Sequence, residues 1–193
     1  MHIVLLGDSI FDNASYVSEG ESVSELLSVK LPEAKISLAA IDGDVTTDVF
    51  SQLEKSPKEA TNAFLSCGGN DALLSISILG AEAKSVKEAL LILHGSREKF
   101  RANYVAMLDA VLNVYPNVVV CTIYNKVPGL SESEETALAL YNEVILEELS
   151  RRSVPVIDLR IKCTDTRDYS EISPIEPSKY GGEKIVNEIA ATV

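Results

Sequence analysis

Histidine and cysteine are scarce in this chain, and both shortages restrict the chemistry it can carry. The 193 residues include two histidines, three cysteines and no tryptophan. Because Cys67, Cys121 and Cys163 are odd in number and far apart, they argue against a disulfide framework and against a zinc site of the CxxC type. We expect each to fill the core as a small apolar residue, in a protein of the reducing cytoplasm.

Basic residues are few relative to acidic ones. Seventeen Lys and Arg stand against 29 Asp and Glu, which gives a formal net charge of −12. Such a surface repels nucleic acid and anionic lipid, so neither is an expected partner. No apolar run reaches the length of a membrane span, and the N-terminus lacks the pattern of a secretion signal. For that reason we assign no role to the glycosylation sequon at residues 13–15.

The chain does contain short apolar runs that alternate with longer helical patterns. The runs are continuous, which predicts strands buried on both faces: HIVLL (2–6), KISLAA (35–40), NAFLSC (62–67), NVVVCTIY (117–124) and VPVID (154–158). Between them, apolar residues recur at helical spacing. The alternation predicts one α/β domain over residues 1–193, with a parallel sheet covered by helices on both faces.

Three details refine the expected helices. Ser131 and Glu134 have the spacing of a capping box, which predicts a helix start. The sequence EKIVNEIAATV at the end predicts a final amphipathic helix. Residues 71–96 hold two helical patterns separated by Gly80, and we expect them to form a helical insertion over or beside the carboxyl edge of the sheet.

The residues that follow the strands are the candidates for function, because ligands of such sheets bind outside the carboxyl ends of the strands. Ser9 follows the first strand, Gly43 the second and Asn70 the third. Each alone is typical of a turn or a cap. Together they supply a hydroxyl and the N–H donors that acyl transfer needs around a developing oxyanion. We expect Asp8 and Asp71 to brace these loops.

A metal site is not expected near the second strand. The segment IDGDVTTD carries three acids, but its glycine falls at the second position of the EF-hand pattern instead of the sixth. Gly43 is better interpreted as a residue that lets the backbone approach a ligand closely.

The blocks GDSI, DGD and GGND, in this order and followed by PIEPSKYGGEKI, resemble those of the SGNH hydrolases, also called GDSL esterases and lipases. The resemblance implies a flavodoxin-like three-layer α/β/α sandwich with a five-stranded parallel sheet. It also implies Ser9 as the nucleophile, an oxyanion hole formed by Ser9, Gly43 and Asn70, and hydrolysis of a small-molecule ester without a cofactor.

The last block departs from the pattern of this family. Where the family has Asp-x-x-His, this chain has Ser173 and Glu176. A carboxylate acts as a general base when burial raises its pKa, and Ile175 and Pro177 flank Glu176 with apolar surface. We therefore interpret Glu176 as the base that activates Ser9, oriented by a hydrogen bond from Ser173.

The two histidines are weaker candidates for the base. His2 begins the first strand, at the end of the sheet opposite the site. His94 lies in the predicted insertion, where we expect it to cap a helix end.

Two functions follow from these patterns. The first is a serine esterase that acts on aryl or short-chain acyl esters, whose good leaving groups suit a weak base. The chain has no obvious apolar lid, which disfavours long-chain triacylglycerols as substrates. The second is a catalytically impaired protein that binds esters or acylated carbohydrates without turnover.

Overall fold

Five parallel strands form a single sheet in the computed structural model, which describes all residues from Met1 to Val193. The strand order is β2-β1-β3-β4-β5. Their bounds are β1 His2–Gly7, β2 Lys35–Leu38, β3 Asn62–Ser66, β4 Val118–Cys121 and β5 Val156–Ile157. Adjacent strands pair in parallel throughout. The predicted α/β architecture with a five-stranded parallel sheet is confirmed.

Seven α-helices connect and cover the strands. They are α1 Val23–Lys30, α2 Val49–Lys55, α3 Gly69–Leu74, α4 Val86–Val114, α5 Glu132–Arg152, α6 Leu159–Lys162 and α7 Lys179–Thr192. Short 3-10 helices lie at Ala14–Tyr16, Ile76–Gly80 and Thr166–Asp168. None of these helices combines the length and the apolar character that a membrane crossing requires.

Two apolar cores lie on the two faces of the sheet, because successive strand residues point to opposite sides. Val4 and Leu6 of β1 belong to the core beneath α2, α4 and α5. Ile3 and Leu5 belong to the core beneath α1 and α7. All three cysteines are buried and unpaired in these cores, which confirms the prediction that they fill space.

Strands β2, β4 and β5 are each at least two residues shorter than predicted. The apolar sequence continues after Cys121, but the chain leaves the sheet there and carries Ile123 and Tyr124 into a cavity at the carboxyl edge. These two apolar side chains therefore form part of the cavity wall and do not belong to the sheet. At the start of α5 the capping box is confirmed: Ser131 N–H donates to Glu134 Oε2 at 2.7 Å, and Glu134 N–H donates to Ser131 Oγ at 3.3 Å.

The predicted insertion at 71–96 consists of α3, the 3-10 helix Ile76–Gly80 and the first turns of α4. Helix α4 begins at Val86 and continues through His94 and Gly95 to Val114. The expectation that His94 caps a helix end is therefore wrong, since this residue is exposed in the middle of a helix. Gly95 lowers the stability of the helix by about 1 kcal/mol relative to alanine but does not end it.

Strand β1 ends at Gly7 in a conformation that only glycine fits. Its φ is +116°, and a Cβ at this position would lie 1.7 Å from the carbonyl oxygen of Ser66. Gln52 of α2 completes the strand end: its Oε1 accepts the Gly7 N–H at 2.8 Å, and its Nε2 donates to the Gly7 carbonyl at 2.7 Å. The chain turns immediately afterwards and places Asp8 and Ser9 at the carboxyl edge of the sheet.

We expect Gly7→Ala to lower the free energy of unfolding by more than about 3 kcal/mol, because the new Cβ overlaps backbone of β3 and the φ disfavours alanine. Gly95→Ala is the matched control. A Cβ at Gly95 meets nothing within 4 Å, so this change stabilises the protein by about 0.5–1 kcal/mol. Urea unfolding of both variants measures the two effects, and equal stability of Gly7→Ala and the wild type would contradict the packing argument.

Candidate active site

A tight turn after β1 holds Ser9 at the edge of the sheet. The Asp8 N–H donates to the Ser66 carbonyl at 3.0 Å, and the Asp8 carbonyl accepts the Phe11 N–H at 3.1 Å. The carboxyl of Asp8 also braces this turn, because its Oδ1 accepts the Ile10 N–H at 3.2 Å. Ser9 is 7% exposed, and it borders the adjoining cavity, through which a ligand reaches its hydroxyl.

This cavity has a volume of about 110 Å³ and two unlike ends. Its polar end contains Asp8, Ser9, Ser66, Asn70 and Glu176. Most of the remaining wall is apolar and comes from α3, the 3-10 helix Ile76–Gly80, the residues after β4 and the first turns of α5. The sequence analysis did not predict this apolar wall. No Lys, Arg or His lines the cavity.

Glu176 lies beside Ser9, although 167 positions separate them in the chain. Burial raises the pKa of the Glu176 carboxyl, contact with the Ser9 side chain lowers it, and the charge of Asp42 raises it. The residue is 3% exposed, and its Oε2 has no hydrogen-bond partner in the protein. A buried carboxylate oxygen with free acceptor capacity is suited to receiving a proton.

The loop that carries Glu176 is held mainly by its backbone. Ser170 N–H donates to the Glu176 carbonyl at 2.9 Å, and Glu176 N–H donates to the Ser173 carbonyl at 3.1 Å. Ser173 thus touches Glu176 through this turn. Its hydroxyl does not line the cavity and makes no hydrogen bond to the Glu176 carboxyl, in contrast to the hydrogen bond expected from the sequence. The Tyr124 hydroxyl donates to the carbonyl of Ile175, which fixes the residue before Glu176.

Asn70 joins the cavity to the loop after β2. Its Nδ2 donates to the Asp44 carbonyl at 3.0 Å, which leaves the second amide hydrogen free. Asp71 braces the same loop, since its carboxylate accepts the Thr46 N–H at 3.0 Å and the Thr46 hydroxyl at 2.7 Å. The structure therefore brings Ser9, Asn70 and Glu176 to one cavity.

Gly43 lies in this loop, outside the cavity wall, and has a φ of +84°. Two anchors place the loop next to the Ser9 turn: Asp42 N–H donates to Asp12 Oδ2 at 2.9 Å, and Gln52 Nε2 donates to Asp44 Oδ2 at 2.8 Å. Neither the Ser9 N–H nor the Gly43 N–H donates to another group of the protein. Both donors are available to a ligand.

Asn13 is a site-organising residue that the sequence analysis did not identify. It is fully buried. Its Nδ2 donates to the Pro177 carbonyl at 3.0 Å, while its Oδ1 accepts the Val23 N–H at 2.9 Å. The side chain therefore ties the Ser9 turn to the Glu176 loop. In the sequence it is visible only as the first residue of a sequon, which gives no sign of this role.

Neither histidine lines the cavity. His2 lies at the amino end of β1, where its Nε2 is 2.8 Å from Ser37 Oγ. His94 is exposed on α4. Apart from two tyrosines, the titratable side chains of the cavity are carboxyls: Asp8, Glu134 and Glu176.

Asp8 and Glu176 are the buried acids of the polar end. Burial raises the pKa of Asp8 to about 8, the hydrogen bond from Ile10 opposes this shift, and the charge of Glu176 adds to it. Asp8 is therefore mostly protonated at neutral pH, which limits the negative charge held beside Ser9.

A parallel α/β sandwich with a serine after β1, an asparagine after β3 and a carboxylate beside the serine has the organisation of a hydrolase of the acyl-transfer type. The chain belongs to the GDSL-like Lipase/Acylhydrolase family, whose model matches residues 5–181. This membership supports ester hydrolysis as the class of reaction.

Solved structures share the fold over the whole chain. A lipase from a goat rumen metagenome has 20% identity and a TM-score of 0.77, with 99% of this chain and 96% of that chain covered. Phospholipase A1 from Streptomyces albidoflavus NA297 has 18% identity and a TM-score of 0.74, with coverage of 100% and 99%. The acetyl xylan esterase AlAXEase has 18% identity and a TM-score of 0.74, with both chains fully covered. No curated protein matches the sequence.

The raised pKa of Asp8 predicts a pH-dependent stability. A carboxyl whose pKa is raised from the ordinary value of 3.8 to about 8 stays neutral in the folded protein but ionises in the unfolded chain. Stability from this group is complete below pH 4 and is lost as the pH rises towards 8. The wild type is expected to lose free energy of unfolding between pH 5 and pH 8. We expect Asp8→Asn, which retains an acceptor for the Ile10 N–H, to lose about 3 kcal/mol less over this range.

Urea unfolding of the wild type and Asp8→Asn at pH 5, 6, 7 and 8 measures this difference. Asp12→Asn provides a comparison at an acid of the same loop. Parallel stability curves for the wild type and Asp8→Asn would contradict the argument.

Proposed function

We propose that the protein is a serine esterase that hydrolyses small neutral carboxylic esters, with Ser9 as nucleophile and Glu176 as general base. The observation that carries the proposal is the buried Glu176 carboxyl beside Ser9, in a cavity to which no histidine contributes. The lack of a cation in the wall favours a neutral substrate.

The reaction proceeds in two proton-coupled halves. Glu176 takes the proton of the Ser9 hydroxyl as Oγ attacks the ester carbonyl carbon. The tetrahedral intermediate then collapses, and the leaving alcohol receives that proton from Glu176. In the second half Glu176 takes a proton from water, which attacks the acyl-Ser9 ester, and the proton returns to Ser9 as the carboxylic acid departs.

The oxyanion of each intermediate is stabilised by three donors: the Ser9 N–H, the Gly43 N–H and the side-chain amide of Asn70. In support of this assignment, both N–H groups lack a partner in the protein and Asn70 retains a free amide hydrogen. Donors fixed in position before the reaction cost no reorganisation when the charge develops.

Glu176 takes the role that a histidine performs elsewhere, and Ser173 positions it. Glu is about two pKa units more acidic than His, a deficit of roughly 3 kcal/mol in proton affinity. Burial in the cavity recovers part of this deficit. Ser173 acts through the turn in which its carbonyl accepts the Glu176 N–H.

The alternative is a protein that binds esters or acylated carbohydrates without turnover. The solved structures that share the fold are described as a lipase, a phospholipase and an esterase, which does not favour a binding protein. The serine and the proposed oxyanion donors are all present in this chain, which also favours an enzyme.

We expect Glu176→Gln to lower kcat by at least about 100-fold, because the amide keeps the shape of the carboxyl but does not accept the proton. Glu171→Gln is the matched control, since Glu171 is an exposed residue of the same loop. Hydrolysis of phenyl acetate by the wild type and both variants measures the effect. Full activity of Glu176→Gln would exclude Glu176 as the base.

A fluorophosphonate probe separates the esterase from the binding protein. The wild type is expected to be labelled at Ser9 and Ser9→Ala to remain unlabelled, as read by mass spectrometry of the modified peptide. Ester binding without labelling of the wild type would favour the alternative function.

A weak base makes the reaction depend on the leaving group. We expect kcat/KM for phenyl acetate to exceed that for cyclohexyl acetate by at least about 100-fold, since the two alcohols have similar size but very different acidity. Steady-state kinetics with phenyl acetate and cyclohexyl acetate measure this ratio. Equal rates would show that expulsion of the alcohol is not limited by the weak base.

A further inference from the structure

The apolar part of the cavity forms a distinct arm, defined here by the side chains of two walls. One wall comes from α3 and the 3-10 helix that follows it, and the other from the loop before α5 and the first turns of α5. The residues of the apolar arm are Leu73, Ile76, Leu79, Leu130, Ala137 and Leu138.

Helix α5 presents one continuous face to the arm. The α5 residues that line the cavity are Glu134, Ala137, Leu138 and Tyr141, spaced as neighbours on successive turns of a helix, and Ala137 and Leu138 belong to the arm. Tyr141 packs on Phe100 with ring centroids 4.6 Å apart, and its hydroxyl is 2.8 Å from Ser96 Oγ. The polar group of Tyr141 is thus satisfied, and its ring contributes apolar surface to the arm.

The sheet sets the length of the arm. Ser9 follows β1 and Ile123 follows β4, and β3 lies between these strands. Two strand spacings amount to about 10 Å. An extended alkyl chain advances roughly 1.3 Å per carbon, given C–C bonds of about 1.5 Å. The Ile123 N–H donates to Asn142 Oδ1 of α5 at 2.9 Å. The spacing of about 10 Å between Ser9 and Ile123 therefore reaches the α5 side of the cavity and matches an acyl chain of about six to eight carbons.

The charges around the arm select against anionic chains. The titratable side chains of the cavity around the arm include carboxyls and no Lys, Arg or His. Glu134 is engaged in the capping box of α5, where it accepts the Ser131 N–H at 2.7 Å. An acyl chain that ended in a carboxylate would meet acids without a counter-charge, whereas a neutral alkyl chain would bury apolar surface.

We propose, on the basis of the function proposed above, that the apolar arm is the acyl subsite and selects neutral acyl chains of about six to eight carbons. The bound ester places its carbonyl between Ser9 and Asn70 and its alkyl chain between α3 and α5. We thus expect longer acyl groups than the short chains that the sequence alone indicated.

The test compares 4-nitrophenyl esters from acetate to dodecanoate, which share one leaving group. For the wild type we expect kcat/KM to rise by up to about fourfold per methylene as the chain fills the arm, and to fall beyond about eight carbons. The monoester of succinic acid should be a poorer substrate than the butanoate.

Two alanines of α5 provide a matched pair of variants. Ala137 lines the arm, while Ala139 is exposed and lies outside it. We expect Ala137→Phe to lower the octanoate-to-acetate ratio of kcat/KM by at least about tenfold because the ring occupies the path of the chain. Ala139→Phe is expected to leave this ratio within about twofold. Leu138→Ala, which widens the arm, should move the optimum towards longer chains.

The outcomes separate this proposal from the proposed function. If the acetate ester is the best substrate and Ala137→Phe behaves like Ala139→Phe, the proposed acyl subsite is wrong. The proposed esterase function is unaffected by that result. If no ester is hydrolysed, the proposed esterase function is wrong. Calorimetric titration with octanamide and acetamide then tests independently whether the arm binds an acyl chain. Octanamide binding that Ala137→Phe abolishes supports the arm, and its absence in the wild type overturns it.

Discussion

The close approach of β1 to β3 at Gly7 is the constraint on which the rest of the site depends. Because a Cβ at Gly7 would meet the Ser66 carbonyl, only glycine lets the first strand end at this point and turn sharply. Gln52 occupies both backbone hydrogen-bonding groups of Gly7 and also reaches Asp44. The side-chain amide of Gln52 thus fixes both the end of β1, which precedes Ser9, and the loop after β2, which contains Gly43.

A second buried amide joins the two distant parts of the chain. Asn13 donates to the Pro177 carbonyl, immediately after Glu176, and accepts from the first turn of α1. Helix α7, which follows Pro177, packs against α1. The loop that carries Glu176 is therefore fixed by the hydrogen bond to the Pro177 carbonyl and by the packing of α7 on α1. These contacts keep Ser9 and Glu176 together although they are far apart in the sequence.

The sequence predicted the features that short patterns determine. Continuous apolar runs located all five strands, and the residues after the first three strands placed Ser9, Gly43 and Asn70 at one edge of the sheet. The apolar wall was not predictable, because Leu73, Ile76 and Leu138 have the spacing of ordinary helix residues and only their tertiary position turns them towards a cavity. Asn13 was missed for a similar reason, since a buried side-chain bridge over 164 positions leaves no local pattern.

The shortage of cations in the cavity has a consequence for the end of the proposed reaction. In that reaction a neutral ester would yield a carboxylic acid, which ionises at neutral pH beside Glu176, with no Lys, Arg or His in the surrounding wall. Like charges in a poorly solvated space repel one another strongly. In the proposed reaction, the electrostatics that favour binding of an uncharged ester would thus also favour release of the ionised acid before the next turnover.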